Sequence, residues 1–409
     1  MRRWNVLVPV GDAGPGSAKM GRALGRRSRA FAALVLGLGA AVPVRAEGQA
    51  RELRFQHLGV EQGLSDSFIH AVLKDSRGFL WVGTSDGLNR YDGSSIVVYR
   101  ARPGDAGALA SSEIRALFED DRKRLWVGAG GALHLYDRKT NRFERRSLGH
   151  GTGASENLQI HAIRADDRGQ LWVGTQEGIF RVDPSSAAST HFRHDPEDAR
   201  SLSDDRVVSI LVDRRHQLWV GTQHGLNRFD QRTGRFVRLF QDANAAAWQR
   251  TMSVGTMLED EHGVLWLGTI GAGLVRFLPE TGELTRYLPD PGGKNSIGGD
   301  RILSLATDGK GRLFLGAEDA GLDVLEQATG HFAHYLPDPD DPSSLSSSSI
   351  YHLRFDDQGI LWIGTFNGGV DHVSPFGQRF GLVTARHGKL GNPHVLALLG
   401  DHEGNLWIG

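Results

Sequence analysis

The sequence contains no cysteine, which excludes disulfides and thiolate metal sites and says nothing of its redox compartment. Proline is not enriched: there are 14 in 409 residues, against 54 glycines, so a collagen-like chain is excluded and turn-rich β structure is favoured. Basic charge is scarce once the first 46 residues are set aside. That segment holds eight Lys/Arg and one acid, and the remainder carries 39 basic against 47 acidic side chains. An acidic balance argues against nucleic acid as a partner, because binding phosphates needs clustered Lys and Arg. Long apolar runs are also missing. After residue 46 no stretch approaches the ~20 residues of a membrane-spanning helix.

One short apolar run, Ala30 to Val42, follows Arg22, Arg26, Arg27 and Arg29 and precedes Val44-Arg45-Ala46. A basic start, a brief apolar centre and small residues before the break describe a secretory signal peptide over 1–46, with an uncleaved anchor as the alternative. Residues before Met20 fit no part of such a signal, so Met20 is the expected start.

Catalytic signatures are missing as well. There is no Gly-x-Ser-x-Gly elbow and no His-Glu-x-x-His pair. "GGKNS" (Gly292 to Ser296) lacks the first glycine of a P-loop, where Leu288 stands. His191 and His194 sit three apart around a strand, where side chains point to opposite faces. Asp338, Asp340 and Asp341 lack the glycine and terminal glutamate of a calcium loop. No catalytic residue, metal or cofactor is expected.

What the chain does have is a period. Aligning on Leu-aromatic-aliphatic-Gly gives eight copies, with Trp81, Trp126, Trp172, Trp219, Trp266, Phe314, Trp362 and Trp407 as their anchors. The intervals are 45, 46, 47, 47, 48, 48 and 45 residues, and seven of the nine tryptophans occupy this position. An aspartate stands six residues before every anchor, from Asp75 to Asp401. Three residues after it comes Gly in six copies, with Lys123 and His216 in the other two. Asp opens a turn and Gly supplies positive φ, so each copy carries a hairpin here. Six residues before each Asp is a β-branched residue, from Ile69 to Val395. The pattern predicts strand a, the hairpin, strand b (Leu-Trp-Val-Gly), a second turn, strand c ("GLNRYD", Gly87 to Asp92), a Thr-Gly turn, and an aromatic strand d such as "FVRLF" (Phe236 to Phe240). Four short strands cannot bury both faces of one sheet, and radial stacking of such sheets solves this as an all-β propeller of four-stranded antiparallel blades.

These residues resemble the two-component regulator propeller repeat. The unit Asp-x-x-Gly-x-Leu-Trp-Val-Gly-Thr-…-Gly-Leu-x-Arg-Tyr-Asp and linkers such as "DPEDARSLSDDRV" (Asp195 to Val207) carry the resemblance, which covers about Arg54 to Gly409. WD-repeat, kelch and Asp-box propellers fit less well. The spacing predicts where the ring closes. From the start of strand d to the next Asp, internal copies span 23 or 24 residues, but Phe55 to Asp75 spans 20 and Phe380 to Asp401 spans 21. Phe55–Leu58 is therefore expected to supply the outer strand of blade seven. The expected domains are 47–379, a seven-bladed propeller, and 380–409, the first strands of a second. Since the eighth copy stops inside strand b, the chain is expected to be part of a longer protein.

Topology separates two faces. The a–b and c–d turns repeat and read as scaffold. The b–c turns differ between copies and share a face with the d–a linkers, so they are the candidate ligand contacts: Ser85, Asp86, Gln176, Glu177, Gln223, His224, Glu318, Asp319, Phe366 and Asn367, with Gly130-Gly131 and Ile270-Gly271 in the remaining blades. On strand a, His70, Arg115, His161, Tyr351 and His352 either line the channel or pack between blades.

The resemblance implies an extracytoplasmic ligand-sensing domain of a transmembrane receptor, either a two-component sensor kinase or a diguanylate cyclase. Its implied ligand is a small molecule or oligosaccharide. A homodimer would form through C-terminal parts beyond this chain, and a transmembrane helix there would be the only membrane contact. A secreted propeller enzyme acting on polysaccharide, or an interaction scaffold, is the alternative. The enzyme would need converging carboxylates, for which Glu177, Glu318 and Asp319 are the candidates.

Overall fold

The computed structural model describes residues 53–148, 158–186, 188–241, 245–292, 295–375, 398–400 and 406–408. The signal segment 1–46 and the strand expected at Phe380–Val383 lie outside the described residues, as does the side chain of Trp407.

Seven four-stranded antiparallel sheets form the blades of a propeller. Their innermost strands are Ile69–Lys74, Ile114–Glu119, Ile160–Ala165, Val207–Val212, Ser253–Glu259, Ile302–Thr307 and Ile350–Phe355. Six blades run a-b-c-d in chain order. The seventh takes its outer strand from the other end of the sequence, because Gln56–Leu58 pairs antiparallel with Val370–Val373. The ring thus closes where the spacing predicts. Considered by itself, Leu398–Gly400 pairs antiparallel with Leu406–Ile408.

The repeated residues explain the blade. Asp75 accepts the backbone N–H of Arg77 and Phe79 on Oδ1 and the indole N–H of Trp81 on Oδ2 at 2.8 Å. The same Asp–Trp bond recurs at Asp120–Trp126, Asp166–Trp172, Asp213–Trp219, Asp260–Trp266 and Asp356–Trp362. In blade six, Phe314 cannot donate, and Arg312 Nε fills the place at 2.7 Å from Asp308. The hairpin position normally held by Gly is left-handed even at Lys123 and His216, with φ near 62° and 61°.

Strand b's glycine sets the spacing between blades. A Cβ on Gly83 would lie 2.6 Å from the carbonyl oxygen of Ile114, the first residue of the next blade's strand a. A Cβ on Gly364 would lie 2.7 Å from Cγ2 of Ile69, so close approach continues across the closure. The anchors fill the space between blades and are nearly all fully buried.

Candidate functional site

Two features build one face of the ring. The b–c turns hydrogen-bond to the d–a linkers: Gly178 N–H to Asp205 O, Gln223 N–H to Arg206 O, Glu318 N–H to Arg301 O, and Phe366 N–H to Ser349 O. The linkers are pinned in turn by a buried polar residue on strand c. Asn89, Asn227, Asp323 and Asp371 accept the backbone N–H of Ser65, Ser203, Gly298 and Ser346, and His134 accepts that of Ala110. This face is therefore held rigidly by backbone bonds.

Every inner strand carries a bulge. In all seven blades the a–b register shifts between the repeat's β-branched residue (Ile69, Ile114, Ile160, Val207, Val254, Ile302 or Ile350) and the residue two positions later. A bulge re-aims the extra side chain. The residues at the position between those two are His70, Arg115, His161, Val208, Gly255, Leu303 and Tyr351, and those of all seven blades line a central cavity of about 330 Å³ together with His352.

At the mouth, the candidate residues divide. Ser85 Oγ lies 3.0 Å from His70 Nε2. His70 is 3.9 Å from Glu113, which pairs with Arg115 at 2.5 Å. Phe366 is exposed and packs edge-on to Phe68, with centroids 4.8 Å apart, and lies parallel to Tyr351 at 5.9 Å. Phe68 also meets Tyr351 at 4.9 Å and His70 at 4.2 Å. Blades one, two and seven thus place three aromatic rings beside a polar chain of Ser85, His70, Glu113 and Arg115. Burial and the nearby Arg115 charge push His70 down to about 4, so its ring is neutral near pH 7. Burial holds His161 down to about 4 as well, with Arg115 and Arg206 adding to the effect. Burial raises the Tyr351 phenol, and the charge of Glu318 adds to it.

Other candidates are tied elsewhere. Asp86 pairs with Arg100 at the outer edge of its blade, at 3.0 Å. His224 bonds Asp204 at 2.8 Å. The Glu177 carbonyl meets His191, whose ring stacks on Phe180. Glu318 pairs with Arg301, and Asp319 accepts from Ser349 Oγ at 2.7 Å. Gln176 is half-buried, whereas Gln223 and Asn367 are exposed. A larger cavity of about 430 Å³ lies away from the mouth, between blades three and four beside Trp172 and Arg181. Phe68, Glu113 and Arg301 were missed by sequence reasoning. All three immediately precede the β-branched residue of strand a, where the copies read Phe68, Glu113, Gln159, Arg206, Ser253, Arg301 and Ser349. That position varies as much as the turns do, and variation there was the available signal.

Comparison with known proteins agrees with this architecture. The two component regulator propeller profile matches residues 63–86, 108–131, 201–224 and 344–367. Each match runs from linker through strands a and b into the b–c turn. A histidine kinase of Formosa agariphila is 44% identical over 48 residues, 12% of this chain and 4% of that protein. The extracellular domain assigned to a hybrid two component system of B. thetaiotaomicron superposes with a TM-score of 0.69 at 22% identity, covering 88% of this chain and 47% of that one. Virginiamycin B lyase of Staphylococcus aureus shares the fold at TM-score 0.57 and 14% identity, over 79% of this chain and 99% of that enzyme. The chain spans about half the length of the B. thetaiotaomicron domain. Four of the seven copies in this ring thus match the two component regulator propeller profile.

Proposed function

We propose that this propeller is the extracytoplasmic ligand-sensing domain of a two-component signalling receptor, and that its ligand lands on the aromatic mouth formed by Phe68, Tyr351 and Phe366. The carrying observation is that cluster: an exposed ring, Phe366, stacked on Tyr351 and edge-on to Phe68, beside the Ser85–His70–Glu113–Arg115 chain. Flat apolar faces next to fixed donors and acceptors suit the pyranose rings of an oligosaccharide. The extracellular placement of the B. thetaiotaomicron domain supports export, as does the signal-like start. Among the described residues no helix is long and apolar enough to cross a membrane. The membrane span, dimer contacts and output module would belong to other parts of the receptor.

The polysaccharide-enzyme reading is weaker on this geometry. Glu318 is paired with Arg301 and Asp319 accepts from Ser349, so both carboxylates already have partners within the protein. Thermal-shift and calorimetric titration with a panel of neutral and acidic oligosaccharides tests the proposal. A saturable shift is expected, with affinity falling roughly two- to tenfold in Phe366→Ala and in Tyr351→Ala. No shift across the panel would remove the carbohydrate ligand. Binding that ignores both substitutions would remove the mouth as its site.

A further inference from the structure

Below the mouth, the channel holds charge that the protein leaves unpaired. Counted from the β-branched residue near the start of strand a, the fifth position is apolar in five blades: Leu73, Phe118, Leu211, Leu258 and Ala306. In blades three and seven it is Arg164 and Arg354. Arg164 lines the central cavity, and its Nη1 donates only to the carbonyl of the preceding Ile163, at 2.8 Å. Arg354 makes no hydrogen bond or ion pair among the described residues, and no carboxylate pairs with Arg164. Both side chains project from the inner strands of the ring and are exposed to water.

The two arginines stand at the same register of their blades, opposite the anchors Trp172 and Trp362. Burial lowers Arg164 to about 10, and the charge of Arg354 adds to the effect. His352, two residues before Arg354 on the same strand, is driven down to about 3 by burial, then by Arg354 and Arg164. Its Nδ1 is buried without a hydrogen-bond partner. Of the charged groups near them, Glu119 is the one carboxylate that acts on Arg354, and it is already bound by Arg138 and by Ser76. Two unpaired cations that face one channel repel each other and attract a counter-anion. Guanidinium groups hold oxyanions through paired, charge-assisted hydrogen bonds.

We propose that the central channel is a binding site for a small oxyanion, held between Arg164 and Arg354. The anion is either free and inorganic or the carboxylate of an acidic ligand. Arg164 shares its cavity with His70, Arg115 and Tyr351 of the mouth but stands further along strand a, and the oxyanion site does not depend on a ligand at the aromatic rings.

The test is titration of the chain with inorganic phosphate, sulfate and galacturonate, at ionic strength matched with sodium chloride. Thermal unfolding and calorimetry provide the readouts. Saturable stabilisation by at least one oxyanion, beyond the chloride control, is expected. Arg164→Gln and Arg354→Gln should each raise the half-saturating concentration about tenfold or more, and the double variant should lose the effect. Without added oxyanion, at low salt, the single variants should unfold no earlier than the parent, since the repulsion is gone. Arg354→Lys keeps the charge and should retain binding, which separates loss of the anion from loss of the fold. Half-saturation at lower galacturonate than phosphate assigns the site to an acidic ligand, and the reverse order assigns it to a free anion. No saturable effect in the parent, or an effect that survives in the double variant, would overturn the proposal.

Discussion

At the scale of single residues, the repeat preserves a bond rather than a ring. Asp213 accepts two backbone N–H groups of its hairpin and the Trp219 indole at 2.8 Å. Phenylalanine at 219 would keep most of the apolar contact and leave Asp213 Oδ2 without a donor. A buried acceptor stripped of its partner costs about 1–3 kcal/mol. Trp219→Phe is therefore expected to lower unfolding stability by that amount, read as a fall in the urea midpoint at unchanged slope. Blade six shows how the same loss is offset, because Arg312 donates to Asp308 where Phe314 cannot. An unchanged midpoint would mean that the indole bond contributes nothing beyond ring packing. Where the carboxylate also meets a cation, the balance shows in its acidity. Burial pushes Asp75 up, but bonds from Trp81 and Arg138 outweigh it and hold it below the ordinary 3.8. That contribution is present above pH 3.8 and is lost as pH falls through the lower folded value.

At the scale of strands and turns, periodicity made the blade legible and the mouth only partly so. Strands a to d, the hairpin aspartate and the scaffold role of the anchors all follow from spacing. The turn residues do not, because two adjacent positions in one turn project differently. Ser85 reaches inward to His70, while Asp86 reaches the outer strand at Arg100. Nor does alternation along strand a reveal that every blade is bulged, which is what lines the channel with His70, Arg115 and Tyr351. A recurring glycine reads as a turn former, but in strand b it marks close approach. Gly83→Ala tests this. Its methyl group would meet the Ile114 carbonyl at 2.6 Å, a backbone atom that cannot rotate away. Overpacking of this kind costs about 1–3 kcal/mol. Chemical denaturation should show that loss for Gly83→Ala and almost none for Gly292→Ala, where the nearest atom to a new Cβ lies 3.7 Å away. The converse ranking would show that blades one and two can slide apart without penalty.

At the scale of the whole ring, stability depends on a closure that joins residues more than 300 positions apart. Three residue pairs hold it: Gln56 with His372, His57 with Asp371, and Leu58 with Val370. Phe55 adds a backbone bond to Ser343 and an edge contact with Tyr335. The titratable element is His57, whose Nδ1 lies 2.7 Å from the buried Asp371 carboxylate while Nε2 meets the Pro342 carbonyl at 3.0 Å. The Asp371 hydrogen bond raises His57 above its usual 6.5, against a smaller opposing effect of burial. The charged imidazolium is thus the form that clasps the ring. Its contribution is fully present below pH 6.5 and is lost as pH rises through the raised folded value. His57 is about one-third exposed, so solvent screening limits the effect to about 1 kcal/mol or less. The parent should therefore lose a small part of its thermal stability between pH 6 and the alkaline end of that window. His57→Gln keeps a hydrogen-bonding side chain without the titration, and should lie flat over the same range. Asp371→Asn, which retains an acceptor for the Ser346 N–H, should flatten the profile too. Parallel slopes in all three proteins would show that the ring is closed by backbone pairing and apolar contact alone, with no contribution from the clasp.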